Sequence, residues 1–235
     1  VNVIYKHMIQ LIREMLPKYV NATPFDIQVL TPMRKGSLGC ETLNGILQRY
    51  LNPADPHKKE HSYGNTVFRE GDKVMQIKNN YDKEVFNGDI GIIESVNLQD
   101  RTLLVNFDNR SIEYDATELD ELVHAYATTI HKAQGSEYPI IVIPMLMNHF
   151  VMLQRNLVYT GITRAKKILV MVGTKKALAY AVRNVTVTKR NTLLKERLAG
   201  QIKAKKPATV YYPDFGERAG EAQMVAEEKA PYGEK

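Results

Sequence analysis

Residues 126–144 read Y-A-T-T-I-H-K-A-Q-G-S-E-Y-P-I-I-V-I-P, and residues 157–167 read L-V-Y-T-G-I-T-R-A-K-K. In the first stretch a polar cluster (Thr128, Thr129, His131, Lys132, Gln134, Ser136, Glu137) lies between apolar runs at 122–126 and 140–147. In the second, residues 159–164 stand just ahead of the apolar run 168–172. Short apolar runs that alternate with polar turns and helical segments predict an α/β sheet. In such sheets the strand ends and the loops that follow them carry the chemistry.

Working outward, residues 27–30 predict a short buried strand. The loop T-P-M-R-K-G-S-L-G follows, then a helix over 41–51 with Leu43, Ile46, Leu47 and Tyr50 on one side. Gly36 and Gly39 permit a tight turn before that helix, whose free N–H groups favour anions. Residues 1–16 have the spacing of an amphipathic helix, which Pro17 is expected to end. Toward the C-terminus, residues 130–135 predict a short helix or turn and 140–144 a strand. Residues 153–163 are helical in pattern, 168–172 form another strand, 174–184 a helix capped by Thr174, and 191–198 a further short helix.

The period changes between these parts. Residues 52–65 are polar and predict a flexible connection. Segments 68–77, 88–96 and 101–107 predict short strands joined by turns at Asn87-Gly88 and Asp108-Asn109. Several short strands in so few residues predict a small barrel of the Src-homology-3 type. It reads as an insertion, because strands of the first kind resume at 122–126. The expected organisation is therefore 1–65 and 119–206 as one α/β domain, 66–118 as the barrel, and 207–235 as a flexible tail.

The net charge of +6 is unevenly spread. Segment 66–118 holds six Lys/Arg and eleven Asp/Glu, whereas 155–206 holds fourteen basic residues and one acidic residue, Glu196. A concentrated basic surface fits a polyanion such as nucleic acid, or else a solvated helical face. The single cysteine, Cys40, excludes an intrachain disulfide and fits a reducing, cytoplasmic setting. No apolar run reaches the roughly 18 residues that span a bilayer, and the charged N-terminal segment does not read as a secretory signal. No Cys or second His stands near His131 at metal-ligand spacing, so no metal site is expected.

The quoted stretches carry a resemblance. T-I-H-K-A-Q-G-S-E and Y-T-G-I-T-R-A resemble motifs V and VI of superfamily 1 DNA helicases. The form H-K-A-Q-G-S-E is nearest the RecD-like branch, which includes the helicase parts of conjugative relaxases. The unit at 27–51 resembles motif IV of that branch. G-D-K-V-M-Q with F-N-G-D-I-G-I-I resembles the barrel inserted into its second motor domain. The resemblance covers roughly residues 25–175 and implies a RecA-like motor domain of the P-loop NTPase type, here the second lobe, with an inserted SH3-like β-barrel. The phosphate loop G-x-x-x-x-G-K-[ST] is absent from the sequence. Asp120-Glu121 reads as a solvated turn rather than an acidic pair ending a strand. The first lobe is thus expected on a longer parent chain, and this polypeptide alone is expected to be inactive.

The resemblance also implies roles. Arg164 is the arginine finger at the γ-phosphate of ATP, and Gly135 and Glu137 lie by the nucleotide. Either Arg34 or Lys35 approaches the phosphates. Thr31, Pro32, Thr128, Thr129, His131 and Lys132 face single-stranded DNA. ATP with Mg2+ is held mainly by the absent lobe. The implied activity is ATP-dependent DNA unwinding, 5′ to 3′ in this branch, within recombination and repair and among proteins of those processes. The other reading is a non-catalytic nucleic-acid- or protein-binding module that keeps the motifs as scaffold.

Overall fold

The computed structural model describes residues 2–185 and 198–200, and the elements named here lie in the compact unit Val1–Thr186. Along the chain, α1 (Asn2–Gln10) runs through a π-helical turn (Leu11–Met15) into α2 (Leu16–Val20). Next come β1 (Ile27–Thr31) and α3 (Cys40–Leu51). Seven strands follow: β2 (Glu60–Tyr63), β3 (Thr66–Arg69), β4 (Lys73–Gln76), β5 (Ile90–Asn97), β6 (Thr102–Phe107), β7 (Arg110–Tyr114) and β8 (Leu122–His124). The chain then forms β9 (Ala127–Thr129), β10 (Tyr138–Met145), α4 (Arg155–Ile162), β11 (Ala165–Gly173) and α5 (Lys175–Arg183).

Four strands make a parallel sheet in the order β11-β10-β1-β9. Ile27 is level with Ile140, Val29 with Ala127 and Val142, and Thr31 with Thr129. Every residue of β1 is buried, as expected of a strand covered on both faces. Alternate side chains feed two cores. Ile27, Val29, Ile140 and Val142 pack with Met8, Ile12, Leu43 and Leu47. Leu30, Ile141 and Ile143 pack with Leu157, Val158, Ala177 and Ala181. The helices therefore sit in two layers, α1–α3 on one face and α4–α5 on the other. Leu43 and Leu47 lie one helical turn apart, which places both on the buried stripe of α3. Truncating either to Ala would cost about 2–5 kcal/mol.

The strands between α3 and β9 form an antiparallel sheet, β7-β6-β5-β4-β8, and a β2–β3 hairpin. Its core joins Phe68, Val74, Ile93, Leu103, Val105, Phe107 and Tyr114. β6 alternates half-buried and buried residues, the period-2 pattern of a strand packed on one face.

Four expectations change. Pro17 does not end the N-terminal helix. The π turn ahead of it gives Leu16 an N–H bond to Leu11 O, and Pro17 falls in the first turn of α2, where its missing donor costs nothing. Residues 52–65 are not a plain connection, because Glu60–Tyr63 pairs with Thr66–Arg69. Segment 68–77 is two strands, broken at Gly71, whose φ of 86° lies in the left-handed region. Finally, 122–126 does not resume the parallel sheet: Leu122–His124 pairs with β4, and β9 alone returns. The helix expected at 191–198 and the tail at 207–235 fall almost wholly outside the described residues.

A buried polar joint ties the inserted strands to the parallel sheet. Asp72, with no exposed surface, accepts from Gln48 Nε2 (2.6 Å), Asn52 Nδ2 (2.7 Å), Arg69 N (2.8 Å) and Tyr126 OH (2.8 Å), with His124 Nε2 at 3.2 Å. Beside it Lys73 donates to the carbonyls of Phe25 (2.9 Å) and Ile27 (3.5 Å).

Candidate functional site

The register separates the candidate residues into two groups. Thr31, Pro32 and the loop of Arg34 and Lys35 lie at the carboxyl ends of the strands, as do Thr128, Thr129, His131 and Lys132. Gly135, Ser136 and Glu137 precede β10, and Arg164 precedes β11, so this second group lies at the amino ends. Arg164 is eight positions along β11 from the level of Thr31, roughly 25 Å at about 3.3 Å per residue. Arg34 and Lys35 therefore stand away from the other nucleotide candidates. The turn of residues 130–137 spans the two ends.

At the amino ends, Tyr138 N donates to Arg164 O at 2.9 Å, which seats the backbone. Gly161 lets α4 press against the sheet: a Cβ there would meet Ile143 and Ile130 at 3.1 and 3.3 Å. The guanidinium is held loosely. Nη1 reaches Ser136 O at 3.3 Å and Nη2 reaches Thr163 Oγ at 3.4 Å, while Nε is buried with no hydrogen-bond partner. A buried N–H without an acceptor is costly, and each Nη keeps a second N–H able to bind an anion. Gly135 turns with φ of 91° and leaves the backbone open on its outer side. Glu137 pairs with Lys166 at 3.4 Å, both more than half exposed. Such a pair is weak and easily exchanged for a ligand. The residues fit a phosphate-bearing ligand. Among the described residues no group of three His, Cys, Asp or Glu is placed to hold a metal ion, so a bound cation would rest on the ligand's own oxygens and on groups elsewhere.

At the carboxyl ends the candidates differ in access. Thr31 is fully buried and donates to Leu38 O at 2.6 Å, so its hydroxyl braces the loop. Thr128 is also buried, and Thr129 Oγ accepts from Lys132 N at 3.2 Å. Pro32 is buried, whereas His131 and Lys132 are exposed. Arg34 is tied to Glu41 at 2.7 Å, and exposed Lys35 has no ion pair among the described residues. Gly39 holds the loop against α3, since a Cβ would fall 2.5 Å from Arg34 O. Lys175 and Lys176, counted in the sequence only within the basic segment 155–206, open α5 at this same end, directly after β11. Sequence reasoning missed Thr163 and Ser136 as supports of Arg164. For Lys166, the signal was its place two residues past Arg164, on the same side of a strand.

Cys40 donates to Arg34 O at 3.7 Å, and burial pushes its thiol up, so it is no thiolate nucleophile.

Residues 43–107 match the family model of the ATP-dependent RecD-like DNA helicase SH3 domain. Residues 124–172 match that of the UvrD-like helicase C-terminal domain. The chain is 39% identical over 175 residues to the ATP-dependent RecD2 DNA helicase of Deinococcus radiodurans, across 74% of this chain and 24% of that protein. It is 32% identical over 169 residues to the RecBCD enzyme subunit RecD of Haemophilus influenzae, across 71% of this chain and 24% of that protein. The chain thus spans about a quarter of the length of these curated relatives. A crystal structure of Pif1 helicase from Bacteroides in complex with ADP-AlF3 and ssDNA aligns with a TM-score of 0.49 at 16% identity, covering 83% of this chain and 50% of that one.

Proposed function

As the chain belongs to the RecD-like superfamily 1 DNA helicases, we propose that it is the second, RecA-like motor lobe of an ATP-dependent 5′–3′ DNA helicase, with an SH3-like barrel inserted between β1 and β9. The parent protein acts in recombination or repair. The observation that carries this reading is the Arg164 guanidinium, held by two long hydrogen bonds with a buried Nε lacking an acceptor. ATP supplies the γ-phosphoryl group for hydrolysis, with Mg2+ spreading its charge.

This chain's own residues do the following. Arg164 directs a fixed positive fork at a neighbouring lobe and stabilises charge that develops in phosphoryl transfer. Ser136 and Thr163 aim that fork. Glu137 leaves Lys166 to meet the nucleotide sugar, and Gly135 allows close backbone approach. At the other end, His131, Lys132 and Lys35 meet the phosphates and sugars of single-stranded DNA, contacts that position without reading sequence. Thr31, Pro32, Thr128 and Thr129 shape the surface beneath them. The turn 130–137 links the two ends, so lobe closure on nucleotide shifts the DNA-facing residues. Arg164→Ala in the full-length parent tests this: turnover falls on the order of 10³-fold while nucleotide affinity holds within a few-fold. Equal turnover at saturating ATP and DNA refutes the role.

A further inference from the structure

A groove of about 780 Å³ runs between the N-terminal helix and α3. Tyr5, Ile9 and Arg13 follow one another along one side of the first helix, with Ile46, Arg49 and Tyr50 opposite on α3. Each set repeats at three to four residues, so each forms one continuous stripe. Below them lie Met8, Ile12, Leu43 and Leu47 of the core, which fix the two walls. Tyr5 also donates its hydroxyl to Ser37 O, which anchors its ring at the groove's edge. Tyr50 remains 47% exposed.

The rim is cationic. Lys6, Arg13 and Arg49 are exposed, and none forms an ion pair among the described residues. Glu14 is the one acidic lining residue. We propose that this groove docks an acidic peptide segment of a partner protein. Its carboxylates would lie on Lys6, Arg13 and Arg49, and an apolar or aromatic side chain would sit between Tyr5 and Tyr50. Aromatic walls flanked by arginines match the composition of peptide anchor sites. A nucleic acid fits less well, because the floor offers aliphatic Ile9 and Ile46, and Glu14 would repel a phosphate backbone. The proposal is independent of the helicase reading, since none of the lining residues is among those given a nucleotide or DNA role.

The test uses the 235-residue chain and a short fluorescent peptide of Asp and Glu with one Leu and one Phe, followed by anisotropy. Saturable binding is expected. The double variant Arg13→Glu/Arg49→Glu should weaken it on the order of tenfold or more, and Tyr50→Ala by several-fold. Affinity for a single-stranded oligonucleotide should be unchanged in both. All three substitutions are at exposed positions, and melting curves matching the parent chain show that the fold is kept. Four outcomes overturn the proposal. The peptide fails to saturate; or neither variant weakens it; or the oligonucleotide displaces it and loses affinity equally in the double variant, which marks a nucleic-acid surface; or binding appears only after removal of residues 207–235, which makes the chain's own tail the occupant.

Discussion

Tyr126 donates its hydroxyl to Asp72 at 2.8 Å. That bond links the residue just before β9 to the residue just before β4. Asp72 thereby joins the inserted strands, α3 and the parallel sheet at one carboxylate.

Removing one partner leaves buried groups unpaired. Tyr126→Phe should cost about 1–2 kcal/mol, and Asp72→Ala about 3–5 kcal/mol because Gln48, Asn52 and Tyr126 lose a shared acceptor. Urea denaturation of the chain checks both. Burial pushes the Asp72 carboxyl up, but the His124 hydrogen bond and charge, with Asn52 and Tyr126, outweigh it and hold it below its ordinary 3.8. The folded state therefore favours the ionised form. This contribution is complete above about pH 5 and is lost as pH falls below 3.8 through the depressed folded value. The acid limb of the stability profile should be shallower in Asp72→Asn than in the parent chain.

Lys73 acts in the opposite sense. Burial lowers its ammonium to about 8, against an opposing pull from Asp26. The unfolded chain binds this proton more tightly, so Lys73 lowers stability at neutral pH by roughly 3 kcal/mol at most. That penalty fades as pH rises from about 8 to the ordinary 10.5. A rise in stability over this range is expected for the parent chain, and Lys73→Met should abolish it. Matching alkaline limbs in the two proteins would refute the assignment.

Gly39→Ala sets a side chain against backbone. Its Cβ would stand 2.5 Å from Arg34 O and Lys35 O, neither of which can rotate away. The loop must move, and the bonds Gly39 N to Gly36 O and Cys40 N to Met33 O go with it. A loss of about 1–3 kcal/mol is expected, and, on the proposed function, weaker single-strand binding by the full-length parent. An unchanged melting curve would contradict the close approach.

Charge placement predicts the salt response of single-strand binding. Lys78 and Lys83 of the insertion are already paired, with Asp120 at 2.6 Å and with Glu118. Lys175 and Lys176 are exposed at the carboxyl end of the parallel sheet. Replacing Lys175 and Lys176 together by Ala should reduce the slope of log affinity on log salt by about 1–2. The same change at Lys78 and Lys83 should leave it nearly constant. The reverse ranking would show that the acidic insertion is the clamp.

Much of the parallel sheet was legible because its strands are unbroken apolar runs. Ile140–Ile143 and Val29–Leu30 need no partner to be recognised as buried. The hairpin strand Glu60–Tyr63 was not legible: E-H-S-Y has no apolar alternation, and pairing with β3 and the Arg69–Glu60 ion pair hold it. Leu122–His124 continues into Ala125 and Tyr126, so one apolar run hid two strands of different sheets. Arg164, Gly135 and Glu137 were singled out by motif, and the sheet register places them at one end. Their separation from Arg34 and Lys35 depends on strand direction, which no local pattern encodes. The Asp72 joint was invisible because its members at 48, 52, 69, 124 and 126 are brought together by the fold alone.

The register of β1 has a consequence for the order of folding. Ile27 is level with Ile140, more than a hundred residues later in the chain, whereas β5, β6 and β7 pair with their sequence neighbours through short turns. During synthesis β1 waits with both edges open while the insertion is made. Local hairpins close faster than distant parallel pairs, so the β5–β6–β7 meander is expected to form before the parallel sheet. Lys73, through its bonds to the carbonyls of Phe25 and Ile27, and Asp72, through its bond to Tyr126, would then help to hold β1 and β9 side by side. On this view the insertion is the chaperone of the sheet that it interrupts, and pulsed hydrogen exchange should show β5 and β6 protected before β1 and β10.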